Sequence, residues 1–143
     1  MAKVAEITRA IEEGADELDV VISLGALRSG DWNHVSADID RMVTAIRLKG
    51  KVSKVIIETS LLTEYEVTEL CKICNSVKPD FVKTSTGTQG GATEAAVKTL
   101  RHHLKPEIKI KASGGIRDSR TAQVMLAAGA DRLGTSSGLS IVN

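Results

Sequence analysis

The chain has 143 residues, 42% of them apolar and 26% charged, with a formal net charge of +1. That length holds one domain with a buried core, and the balance of charge gives no general electrostatic case for nucleic acid or an anionic membrane. Three aromatic residues, Trp32, Tyr65 and Phe81, are too few for a base-stacking surface, and no apolar run approaches the roughly 20 residues that cross a bilayer.

The start, Met1-Ala2-Lys3-Val4-Ala5-Glu6, lacks the charged-then-apolar layout of a signal peptide, so cytoplasm is the expected location. An opening helix is expected over about Lys3–Glu13, closed by Gly14. Leu18–Ser23 then reads as a first β-branched strand carrying one carboxylate, Asp19. Val35, Ile39, Met42, Val43 and Ile46 recur at helical spacing. A second strand is expected over Val52–Thr59. Thr63 and Glu66 form a capping box ahead of a helix with Val67, Leu70, Ile73 and Cys74 on one face. The lone C-x-x-C of that helix, Cys71 and Cys74, has no second ligand pair at metal spacing and reads as two packed or half-exposed thiols.

The third strand is expected over Asp80–Ser85. Thr93 caps the following helix, whose stripe is Val97, Leu100 and Leu104. His34, His102 and His103 follow no metal or nucleophile pattern; His102 and His103 fall late in this helix and read as surface residues. The fourth strand is expected over Ile108–Ser113, then a helix with Val124, Met125 and Ala128 that stops at Gly129. A last strand covers Arg132–Ser136.

Strands separated by whole helices cannot be hairpins and should lie parallel, with right-handed crossovers. The fold class is therefore α/β. An open sheet and an eight-stranded barrel both fit the alternation, and five strands are too few to complete such a barrel. Glu58-Thr59, Lys83 to Gly87, Lys111 to Gly115 and Gly134 to Gly138 all fall at the C-terminal ends of strands. Four consecutive units contributing at one edge resemble a barrel mouth more than a single crevice, so an incomplete TIM-type barrel is expected.

Lys83 and Lys111 are the candidates for chemistry. Each ends an apolar strand and precedes a turn of small residues. A lysine of ordinary pKa is neutral less than about 0.1% of the time at pH 7, and attack on a carbonyl needs the neutral amine. Two ammonium groups on neighbouring strands at one height would favour a neutral, reactive amine; the plainer alternative is that both snorkel into water. Lys109 shares a face with Lys111 but one layer lower, and reads as structural. Asp19 needs a partner within its apolar strand, and a lysine across the sheet would serve, with proton transfer as its role; otherwise it caps backbone amides. Ser113-Gly114-Gly115-Ile116-Arg117 and Gly134-Thr135-Ser136-Ser137-Gly138 follow consecutive strands. Singly each is a tight connection; together they suggest a phosphate site, with Thr86-Gly87 and Gly90-Gly91 as a further wall.

The segments GADELDVVISLGALRSGDW, KVIIETSLLT, DFVKTSTGTQGGAT, IKASGGIRD and DRLGTSSG resemble deoxyribose-phosphate aldolase, a class I (Schiff-base) aldolase on a (β/α)8 barrel. The resemblance implies cleavage of 2-deoxy-D-ribose 5-phosphate to glyceraldehyde 3-phosphate and acetaldehyde. It implies that Lys83 forms the Schiff base, that Lys111 lowers the pKa of Lys83, and that Asp19 assists proton transfer. Phosphate would rest on Gly114, Gly115, Gly134, Ser136 and Ser137, with Thr86 and Gly87 nearby; no metal or organic cofactor is implied. Against the family pattern the first three βα units are absent, including an Asp-His-Thr and a Gly-Phe-Pro segment. Residues 1–143 are thus expected to form a single partial barrel with two bare edges, at Leu18–Ser23 and Arg132–Ser136. Such edges invite a homo-oligomer or pairing with another chain, and neither nucleic acid nor membrane is expected as a partner. The alternative to an aldolase is an inactive fragment that binds phosphate or assembles with another chain.

Overall fold

The alternation of side chains along the strands divides the sheet into two faces of opposite character. In the computed structural model, which describes residues 2–143, the chain runs α1 (Ala2–Glu12), β1 (Glu17–Val21), α2 (Leu24–Arg28), α3 (Trp32–Leu48), β2 (Val52–Ile56) and a 3-10 turn (Thr59–Leu61). It continues through α4 (Glu64–Val77), β3 (Phe81–Lys83), α5 (Glu94–His103), β4 (Lys109–Ser113), α6 (Ser119–Ala128), β5 (Arg132–Gly134) and α7 (Gly138–Val142). The five strands form one sheet in the order β1-β2-β3-β4-β5, every neighbouring pair parallel.

Leu18, Val20, Val55, Ile57, Val82, Ile110 and Ala112 point to the helices. They join Val35, Ile39, Met42, Ile46, Leu70, Val97 and Leu100 in one core. The helices contact one another in chain order, α3 with α4, α4 with α5 and α5 with α6, as the right-handed crossovers require. The other face carries Glu17, Asp19, Lys54, Phe81, Lys83, Lys109, Lys111 and Arg132. It is concave: Arg132 of β5, at one edge, forms an ion pair with Glu17 of β1, at the other. The sheet does not close, and its architecture is that of an incomplete barrel.

The caps agree with the sequence. Thr63 accepts from the Glu66 amide while Glu66 accepts from the Thr63 amide, a complete capping box. Thr93 accepts from the Ala96 amide, and Gly14 and Gly129 adopt φ of +106° and +124° beyond α1 and α6. Two short helices, α2 and α7, and the 3-10 turn are additions to the expected order. The strands are also shorter than expected, because Thr59, Thr84 and Ser85 leave the ladder; Thr84 and Ser85 bond their hydroxyls locally, while the buried Thr59 hydroxyl has no partner among the described residues. Thr84 Oγ1 donates to Ser113 O and accepts from the Ser113 amide, and Ser85 Oγ donates to Thr84 Oγ1. Both cysteines are buried free thiols; burial pushes Cys71 up to about 12 and Cys74 further up. His34 and His102 are exposed. Among the described residues no helix is long and apolar enough to cross a membrane.

Candidate active site

Parallel register decides which side chains meet. Lys83 stands opposite Lys111, so the two amines leave adjacent strands at one height, as their positions in sequence suggested. Asp19 reaches them from β1. Its Oδ2 lies 2.7 Å from the Lys83 amine and 3.5 Å from the Lys111 amine. Both lysine side chains are largely shielded, at 13% and 15% exposure, so they do not snorkel. Asp19 has the expected lysine partners and does not cap backbone amides.

Sequence reasoning missed a third lysine. Lys54, on β2 opposite Asp19, is 6% exposed and holds Asp19 Oδ1 at 3.0 Å and Glu17 at 3.2 Å. Its sequence neighbours carry no mark of this, because the partners lie more than thirty positions away and meet it only through strand register. Three ammonium groups therefore surround one carboxylate. Burial works to raise the Asp19 carboxyl, but hydrogen bonds from Lys83 and Lys54 and the charges of Lys83 and Lys111 outweigh it and lower it to about 2. Burial, then repulsion from Lys83 and Lys54, lowers the pKa of Lys111, with Asp19 opposing.

Lys109 is one layer lower, as expected, with its amine 5.7 Å from the Phe81 ring centre. The Arg132 guanidinium covers the same ring at 4.6 Å.

Beside the lysines opens a cleft of about 360 Å³. Lys83, Thr86, Gly87, Gly114, Gly115, Gly134 and Ser136 line it, together with Ser113 and Arg117. Ser137 does not; its amide donates to Thr135 Oγ1. Thr86 lines the cleft, but its amide and hydroxyl both donate to the buried carboxylate of Glu58, at 2.6 and 2.8 Å. Glu58 sits in the left-handed region at φ +56°, a conformation that its residue type does not announce in a sequence. The N-terminus of α6 is capped by its own Asp118, which accepts from the Thr121 amide.

The glycines have separate reasons. Gly114 has φ +88°, and an added Cβ would stand 2.8 Å from Gly91 Cα, so the loops after β3 and β4 touch backbone to backbone. Gly134 has no such torsion. A Cβ there would meet Ser113 Cβ at 2.9 Å and Lys111 Cε at 3.1 Å, so this glycine makes room for the Lys111 stem.

A family model described as DeoC/LacD family aldolase matches residues 1–143. A deoxyribose-phosphate aldolase of Thermococcus gammatolerans is 50% identical over 141 residues, covering 98% of this chain and 63% of that protein. An aldolase called QR15 superposes with a TM-score of 0.90 at 43% identity, over 98% of this chain and 63% of its own. A tetrameric deoxyribose phosphate aldolase from Aeropyrum pernix gives 0.87 at 35% identity, over 97% and 58%. The chain thus spans somewhat less than two thirds of the length of these relatives. With its parallel half-open barrel and its lysines at the strand ends, the chain belongs to the DeoC/LacD aldolase family.

Proposed function

We propose that the chain carries the reacting groups of a Schiff-base aldolase that cleaves 2-deoxy-D-ribose 5-phosphate to glyceraldehyde 3-phosphate and acetaldehyde. The observation that carries this reading is the convergence of Lys83, Lys111 and Asp19 beside a glycine-lined cleft. Lys83, which lines the cleft, attacks the substrate aldehyde as a neutral amine. The carbinolamine loses water to give an iminium at C1, and the iminium draws in the electrons of the C2–C3 bond as the 3-hydroxyl gives up its proton and becomes the carbonyl of the leaving aldehyde. Glyceraldehyde 3-phosphate leaves. The enamine takes a proton, and water then releases acetaldehyde and returns the amine. Asp19, ionised down to about pH 2, is the proton acceptor at hand, and Lys111 keeps cationic charge costly at the centre.

The phosphate is placed in the cleft. The amides of Gly114, Gly115 and Ser136 have no hydrogen-bond partner among the described residues, and Arg117 adds a cation. Gly87 and Gly134 give it room, and Ser137, next in sequence to Ser136, turns its amide to Thr135 Oγ1. Thr86 shapes the wall through Glu58 and has no free donor to give.

Incubation with acetaldehyde and borohydride, followed by peptide mass mapping, tests the reading. An adduct at Lys83, absent in Lys83→Ala and Lys83→Arg, is the expected result; adduct at no lysine would sink it. Lys111→Leu is expected to slow trapping without abolishing it.

The open sheet and the span of less than two thirds of its relatives favour a second reading, in which the chain binds phosphate or completes its site only with another chain. Phosphate-dependent amide shifts at Gly114 and Gly115 without imine formation are its signature.

A further inference from the structure

Lys54 is the most deeply buried cation of the concave face, and the reaction sequence above makes no use of it. Its amine is held on two sides, by Glu17 Oε1 at 3.2 Å and by Asp19 Oδ1 at 3.0 Å. Glu17 is held in turn by Arg132 from the far edge of the sheet, and the Arg132 guanidinium rests on the Phe81 ring. The two oxygens of Asp19 are therefore divided. Oδ1 belongs to Lys54, and Oδ2 to Lys83 and Lys111. The terminal torsion of an aspartate is soft, so a bond to one oxygen fixes where the other points.

We infer that Lys54 is a positioning residue: anchored by Glu17 and Arg132, it grips one oxygen of Asp19 and aims the other at the Lys83 and Lys111 amines. For its consequence in turnover the inference rests on the Schiff-base reading; the aim of the carboxylate does not. The groups facing Asp19 are Lys54 on β2, Lys83 on β3 and Lys111 on β4, with Glu17 beside it on β1. This concave network holds two carboxylates and four cations. Lys54→Met therefore leaves neither carboxylate without a cation and fills most of the space of the lysine stem, so the variant is expected to fold.

The test uses the full chain and three forms, wild type, Lys54→Met and Lys54→Arg. The Asp19 carboxyl is titrated by carbon-13 NMR, and the rate of borohydride trapping of acetaldehyde at Lys83 is followed against pH. In Lys54→Met the Asp19 midpoint is expected to rise by about one unit and trapping to slow about tenfold. Lys54→Arg restores a cation at the same place and is expected to recover part of both effects. If Lys54 only braces the sheet, its loss lowers the urea midpoint and moves neither readout. An Asp19 midpoint that stays put, or an unchanged trapping rate in a chain that traps, overturns the inference. If the wild-type chain forms no imine, the Schiff-base reading fails by itself, and the Asp19 titration alone decides the positioning role.

Discussion

Burial by itself would raise the Asp19 carboxyl, yet its lysine partners bring it to about 2. A carboxyl depressed on folding stabilises the fold above its unfolded pKa, and that contribution is lost as pH falls through the folded value. For Asp19 the window runs from about pH 4 down to about 2. Asp19→Asn also leaves Lys54, Lys83 and Lys111 facing one another; with solvent screening part of that repulsion, it is expected to cost about 1–2 kcal/mol at neutral pH. Urea melts of the two proteins are expected to converge between pH 5 and pH 2; a constant gap would show that Asp19 does not carry this pH dependence. The Lys83, Lys111 and Asp19 set was legible because each residue is a charge inside an apolar strand. Lys54 is also such a charge, but it follows Ser53 and its strand offers no turn of small residues directly after it. Its role emerges only when register sets it beside Asp19.

Loops after adjacent strands lock to one another at the C-terminal edge. Glu58 follows β2 and clamps Thr86, beyond β3; Ser60 Oγ donates to Gln89 O; the Ala92 amide donates to Ser113 O and Gly114 O at the end of β4. Glu58→Gln keeps the shape and removes the charge, so hydrogen exchange at the Thr86 amide is expected to quicken about tenfold, the equivalent of about 1.4 kcal/mol for a charge-assisted bond. Unchanged exchange would mean that the loop holds its place without the clamp. Helix stripes, caps and strand order were legible, since each follows from periodicity or from local chemistry. The clamp was not, because it depends on a left-handed glutamate and on contacts between separate loops. In α4, Cys71 and Cys74 illustrate a motif whose bland reading is the correct one. With both thiols buried and their pKa values raised, a disulfide reagent at pH 8 is expected to label neither in the native protein and both in urea. Rapid native labelling of either would contradict the packing of this helix.

The whole molecule leaves two strands with one neighbour each, β1 and β5. At the β1 side, Val52 donates to Asp16 O and the Ile22 amide donates to Ile56 O. Even-numbered residues of β1 therefore face β2, and Glu17, Asp19 and Val21 turn their backbone groups to the open edge. One of these groups is covered: Val21 O accepts from the Lys3 amine at 2.9 Å, and Lys3 is itself paired with Asp38. The rest of the edge borders a groove of about 460 Å³ that includes Ile7, Ala10, Leu18, Val20 and Met42. An unpaired strand beside an apolar groove is a template for another chain. The protein is therefore expected to associate at micromolar concentrations, with light scattering rising above that of a 15.2 kDa species as concentration increases. A monodisperse species of that mass throughout would count against it. Val21→Pro locates the contact. Proline at this position removes an amide that points outward and leaves the bonds from β1 to β2 untouched, and the preceding residue is already extended, as proline demands. The variant is expected to keep its fold and to lose association. If it folds and still associates as the wild type does, the β1 edge is not where the chains meet.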